Sequence, residues 1–298
     1  MSVQTERAKP TIYRSARAEQ DVIERYDGLL ADWPLPVEER DLETRWGRVH
    51  VLGWGPPDGP PLVLCHAASM AATSWLPNAT VLADAGYRCH AIDYLGEANK
   101  SRLADRDVYP KSGTELGESY AAIMDALEIE RCPVVGASAG GHVTLRLALN
   151  APDRVKKLVL AGPMGIGPLS LASMLRMMLA SLVPRPSITR RTSRWALGTA
   201  PAVTDRFGAW FTTALESVAS PPRVAGPVAL EEEEFRRIHV PVLLLLGTRD
   251  PLVGDPGRAA ERASAMPDLR VEVLDSSHLV AVERADEVNA LMAEFLRP

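Results

Sequence analysis

Three residues far apart along the chain have the types and order that acyl-transfer chemistry needs: Ser138, Asp250 and His278. Ser138 stands in VVGASAGG, residues 134–141, where glycines two positions to either side allow a tight bend and leave the approach to Oγ open. A serine hydroxyl is a weak nucleophile unless a base takes its proton, and the base needs an acid to orient it. Asp250, in LLLLGTRDP, and His278, in VEVLDSSHLV, follow Ser138 in the order nucleophile, acid, base. Developing negative charge on the attacked carbonyl oxygen needs backbone N–H donors. The candidates are Ala139, directly after the serine, and Ala68, in LVLCHAAS, with Ala67 the weaker choice.

Other residues fit these roles less well. Asp255 reads as the start of a helix, and Asp275 lies too near His278 along the chain to partner it easily. No carboxylate occurs from 162 to 167. Of the six histidines, His50 and His90 fall within strand patterns, His239 precedes one, and His142 lies one helical turn beyond Ser138. His66 is expected to be a hydrogen-bonding plug beneath the site and, with Ala67, a candidate wall of the substrate pocket.

These residues require a scaffold that ends several strands at one edge. β-rich runs occur at 42–46, 48–54, 61–66, 87–93, 132–137, 155–162, 240–247 and 270–275, which predicts eight strands. From the third onward, helical patterns at 75–85, 117–128, 139–150, 256–266 and 283–296 alternate with them. Such alternation predicts an α/β fold with a mostly parallel sheet covered on both faces. In open parallel sheets, active groups sit just past the carboxyl ends of strands, where 138, 250 and 278 all fall.

Two segments lie outside that alternation. Val22, Ile23, Tyr26, Leu29, Leu30 and Trp33 follow a helical stripe that Pro34 and Pro36 terminate, so residues 1–41 are read as a helical arm. The arm either packs on the body or supplies a homodimer contact. Residues 166–238 are too many for a simple crossover and carry helical patterns at 170–182 and 206–219. They are read as an inserted cap between core segments 42–165 and 239–298. Met174, Met177 and Met178 are either a packing stripe or the wall of an apolar substrate pocket. EEEE at 231–234 reads as a solvated first helical turn.

Composition narrows the partners. With 46% hydrophobic and 24% charged residues, the 298-residue chain matches ordinary globular proteins and not disordered ones. Its net charge of -5 and the lack of a conspicuous Lys/Arg cluster argue against nucleic acid and against an anionic membrane surface, leaving a small-molecule substrate. The polar start and the absence of a long apolar run suggest a cytoplasmic protein. Cys65, Cys89 and Cys132 are an odd, scattered set inside apolar runs, so free buried thiols are expected and neither a metal nor a disulfide.

The His66 loop, the turn at Ser138, Asp250 and His278 resemble the α/β-hydrolase superfamily over about residues 42–298. WPLPVEERDLETRWGRVHVLGWG, AIDYLGEANKS and VPVLLLLGTRDPLVGDPGRAAERA are similar to the bacterial carboxylesterase NP-like group. The resemblance implies a covalent acyl-enzyme and no cofactor. Two positions depart from the family pattern: Ala67 replaces the usual glycine after His66, and Ser277 replaces the glycine before His278. Because a Cβ disfavours positive φ, the oxyanion loop is expected to sit differently or the acyl pocket to be narrower.

The residues thus point first to a serine hydrolase of a small or medium carboxylic ester, thioester or lactone. A non-hydrolytic enzyme on the same scaffold, such as an acyl transferase, lyase or cyclase, is the alternative. A ligand-binding protein is a third reading, disfavoured by the intact trio. Dehalogenase or epoxide-hydrolase chemistry is disfavoured by a serine where those relatives carry a carboxylate.

Overall fold

The structure is a computed structural model that describes residues 12–105, 108–219 and 228–297. Residues 1–11 of the expected arm and 220–227 of the expected cap lie outside the described residues.

The strands are β1 (Val37–Thr44), β2 (Gly47–Trp54), β3 (Pro61–Cys65), β4 (Arg88–Ile92), β5 (Arg102–Leu103), β6 (Cys132–Ala137), β7 (Val155–Ala161), β8 (Val242–Gly247) and β9 (Leu269–Leu274). They form one sheet in the order β1-β2-β4-β3-β6-β7-β8-β9, with β5 on β2. The sheet therefore has nine strands, one more than expected. β5 escaped notice because two residues are too few to show any alternation; it pairs with Gly47 and Arg48. β1 and β2 form an antiparallel hairpin, and β3, β4 and β6 through β9 run parallel. Every residue of β8 is buried, which is why LLLL reads as a continuous apolar run: both faces of the strand are covered.

The helices are α1 (Ala16–Ala31), α2 (Ala79–Asp84), α3 (Gly113–Ala126), α4 (Ala139–Asn150), α5 (Leu171–Leu182), α6 (Pro186–Leu197), α7 (Pro201–Val203), α8 (Ala209–Ser217), α9 (Glu232–Arg236), α10 (Pro256–Ala263), α11 (Val280–Glu283) and α12 (Ala285–Leu296). Ser15 caps α1 by accepting from the Ala18 amide. The buried stripe Val22, Tyr26 and Leu29 follows the helical spacing, and the Tyr26 ring meets Trp210 of α8 edge-on. α5 through α9 all fall between β7 and β8. The first turn of α9 is not simply solvated, since Glu234 pairs with Arg146 at 2.6 Å.

Parallel register aligns the strand ends. Cys65 pairs with Gly136, Ala137 with Ala161, Ala161 with Leu245, and Gly247 with Leu274. The loops after β3, β6, β7, β8 and β9 therefore leave the sheet at one edge, although nearly the whole chain separates the first from the last.

Candidate active site

The turn from β6 into α4 forces Ser138 to φ 52° and ψ -114°. A non-glycine residue there costs about 1–3 kcal/mol and needs the surrounding structure to hold it. Ser138 N–H donates to Ala161 O at 3.0 Å, and its carbonyl accepts from Met164 at 2.9 Å and His142 at 3.2 Å. The flanking glycines are steric requirements as well. A Cβ on Gly140 would run into the Cys65 carbonyl, and one on Gly136 into the Gly140 carbonyl.

Ser138 Oγ lies 2.6 Å from His278 Nε2, and His278 Nδ1 lies 2.7 Å from Asp250 Oδ2. An ionised carboxylate can only accept, so Nδ1 carries the proton and Nε2 is left to accept from the serine hydroxyl. All three residues are buried. Asp250 Oδ1 accepts from the amides of Leu252 and Val253 at 2.8 and 3.0 Å. Burial alone would raise the Asp250 carboxyl; the His278 imidazole and these two amides outweigh it and hold the group below the usual aspartate value. The arrangement can move a proton from the serine hydroxyl to an oriented base.

The expected donors sit beside this trio. Ala139 opens α4 and Ala68 follows β3, both partly exposed; among the described residues neither amide donates a hydrogen bond. Ala67 does not occupy the left-handed region. That conformation falls on Ser69, at φ 57°, so the loop takes its turn two residues beyond the family's glycine.

His66 is wholly buried. Tyr94 N–H donates to its Nε2 at 3.1 Å, so Nδ1–H donates to Ala67 O at 2.8 Å. Burial, partly offset by Asp93, lowers its pKa. It is a satisfied plug, as expected, and is not among the residues that line the small cavity beside His278. Ala67 does line a small apolar cavity, with Trp75, Ala137, Ala161, Leu279 and Val282, next to His278. A surface hollow of about 540 Å³ between α1 and α8 contains none of these residues.

Met174 and Met178 are mostly turned to solvent, and only Met177 is half-buried. Met177 packs against the core while Met174 and Met178 do not, so the three do not act as one stripe, and the fully buried positions of α5 are Ser173 and Ala180. Asp255 caps α10 through the Arg258 amide at 2.8 Å, as its spacing predicted, and Asp275 faces Arg249 and Thr248. His142 is buried in α4, where desolvation, reinforced by Arg146, depresses its pKa to about 4.

Several residues hold the site, and apart from Ser277 none of them was singled out by the sequence. Ser277, at the second departure from the family pattern, directs both its N–H (2.8 Å) and its hydroxyl (2.5 Å) to Glu283 Oε2. Glu283 Oε1 accepts from Arg249 at 3.1 Å. Arg249 precedes Asp250 and Ser277 precedes His278, so this bridge ties the acid's loop to the base's loop. Gly162 leaves room beneath them, since a Cβ there would press on the His278 carbonyl at 2.8 Å. On the other side, Ser69 N–H donates to Glu97 at 2.8 Å and Ser69 O accepts from Trp210 Nε1 of α8 at 3.1 Å. Burial drives the Glu97 carboxyl up to about 8, with Ser69 lowering it and Asp93 raising it. A conspicuous Glu-Arg spacing could have flagged α9; nothing in the sequence links 69 to 97 or 210.

A profile described as the alpha/beta hydrolase family matches residues 62–291. The chain belongs to the alpha/beta hydrolase family. An "uncharacterized carboxylesterase nap" of Bacillus subtilis (strain 168) is 30% identical, over 91% of this chain and 90% of that one. "Carboxylesterase YbfK" of the same organism is 27% identical, over 91% and 92%. The crystal structure of naproxen esterase (carboxylesterase NP) from B. subtilis superposes with a TM-score of 0.85, at 27% identity, covering 95% of this chain and 99% of that one. Among the described residues no helix is long and apolar enough to cross a membrane.

Proposed function

We propose that this alpha/beta hydrolase is a carboxylic ester hydrolase in which Ser138, His278 and Asp250 form the catalytic triad. The observation that carries the reading is the unbroken path of 2.6 and 2.7 Å from Ser138 Oγ through the imidazole to Asp250. Ser138 Oγ attacks the ester carbonyl while His278 Nε2 takes its proton. Asp250 keeps the ring in the required tautomer and stabilises the imidazolium. The Ala139 and Ala68 amides receive the oxyanion; losing one such donor costs about 10²–10³ in turnover. The imidazolium then gives its proton to the leaving alkoxide, and an acyl-Ser138 remains. Water, deprotonated by His278, attacks the acyl carbon, and the acid departs as Ser138 recovers the proton.

No cofactor enters these steps. A small or medium ester, thioester or lactone is the substrate class. The same reading takes 1–41 as an arm, 42–165 and 239–298 as the core, and 166–238 as a cap. It places the enzyme in the cytoplasm, without a nucleic-acid partner, and keeps a homodimer through the arm as its oligomeric alternative.

A fluorophosphonate probe and p-nitrophenyl acyl esters test it. Label is expected on Ser138, with turnover abolished in Ser138→Ala. Folded protein that takes no label and turns over no ester overturns the reading.

A further inference from the structure

One face of α5 is built of large apolar side chains that are half or more exposed among the described residues. Leu171, Met174, Leu175, Met178, Leu179 and Leu182 are between 50% and 72% exposed. Their spacing places them on one stripe, opposite Ser173 and Ala180, which are buried. Isolated exposed leucines are ordinary, but a contiguous stripe of six on one helix marks a contact surface.

α6 is fastened alongside. Arg176 of α5 stacks over Trp195 at 4.7 Å and donates to Arg191 O at 3.1 Å. Arg185, just before α6, and Arg190, Arg191 and Arg194 on it are exposed, and among the described residues none of these four guanidinium groups meets a carboxylate. No acidic residue occurs between Asp153 and Asp205, although the whole chain is acidic at -5. These arginines escape notice as a charge run because other residues interrupt them; the helix brings 190, 191 and 194 onto one side.

We propose that the α5–α6 face docks on an anionic lipid surface. The leucines and methionines of α5 enter the boundary between headgroups and acyl chains, and the α6 arginines meet the lipid phosphates. An apolar stripe flanked by cations and lying in the plane of the interface is the pattern of a peripheral helix. At about 1.5 Å per residue, 12 residues cannot span a bilayer. Charge decides against a second copy as the occupant: pairing α5 with itself across a two-fold axis would gather two sets of four unneutralised arginines, whereas an anionic bilayer uses both features. The proposal departs from the expectation, drawn from the linear distribution of charge, that no anionic membrane surface is involved. This docking does not depend on the triad assignment.

The test is co-sedimentation of the full-length protein with vesicles of phosphatidylcholine, alone or with phosphatidylglycerol. Binding is expected only when phosphatidylglycerol is present, and it should weaken as salt rises. Arg190→Gln with Arg194→Gln should lower affinity roughly fivefold per arginine, and Leu175→Glu with Leu182→Glu should abolish it. Each variant should keep its melting temperature and its turnover of a soluble short-chain ester, so a failure of docking is distinguishable from a failure of the esterase reading. Equal binding to neutral and anionic vesicles, or none to either, overturns the proposal. So does a dimer seen by light scattering that Leu175→Glu dissociates without any vesicle binding by the parent.

Discussion

The edge of the sheet around Ser138 and the outer face of α5 and α6 treat their side chains in opposite ways. At the sheet edge almost every polar atom is assigned: Asp250 accepts from the imidazole and two amides, and Glu283 accepts from Ser277 twice and from Arg249. On α5 and α6, leucines lie in solvent and arginines lack counter-ions. The first pattern suits chemistry, because bond-making needs groups held in place before the substrate arrives. The second suits contact with something large and soft, where many weak interactions add and no one position is decisive.

The widest contrast is expected from Asp250→Asn. An amide cannot hold the imidazole in the tautomer that accepts from Ser138, and kcat should fall by on the order of 10⁴, read with a chromogenic ester. Leu175→Glu should leave the same kcat unchanged. If both variants lost activity equally, the two regions would not be separate in function.

Glu283→Ala comes next. It frees Ser277 and Arg249 together and lets the base's loop drift from the acid's loop. A drop of about 10² in kcat with KM nearly constant is expected, since a displacement near 1 Å has that cost. Ser277→Thr should retain most activity because it keeps the hydroxyl. Trp210→Phe removes a single donor to the Ser69 carbonyl and should lower kcat roughly fivefold, the equivalent of about 1 kcal/mol for one hydrogen bond.

The smallest effect concerns Glu97, whose carboxyl is raised to about 8 from 4.5. A group that prefers its proton when folded supports stability fully below pH 4.5 and loses that support as pH rises toward 8. Glu97→Gln has no such dependence. Melting curves of parent and variant should diverge between pH 5 and 8, the parent falling by a few degrees relative to the variant, and run parallel above that. A constant gap would show that Glu97 does not change its charge there.

How much of this could be read in advance depended on the range of each interaction. The bend at Ser138 is local: an apolar run, two glycines and a helix, all between Cys132 and Asn150, suffice to announce it. Asp250 and His278 are remote from it, yet each is a chemically distinctive residue directly after a strand. Glu283, Glu97 and Trp210 carry no such mark, and Trp210 reaches Ser69 across 141 positions. The exposure of Met174 and Met178 was hidden for a different reason. Helical period states which residues share a face but not whether anything covers that face.

By itself the sequence determined the alternation of strands and helices, the chain order of nucleophile, acid and base, and the requirement for glycine at 136 and 140, because each follows from nearest-neighbour sterics or hydrophobic period. Only the tertiary structure decided that the loops after β6, β8 and β9 meet, that Ser277 and Glu283 lock two of them together, and that α5 faces outward. Those outcomes depend on strand order and register, which bring distant segments into contact through the sheet and leave no trace in the spacing of residues along the chain.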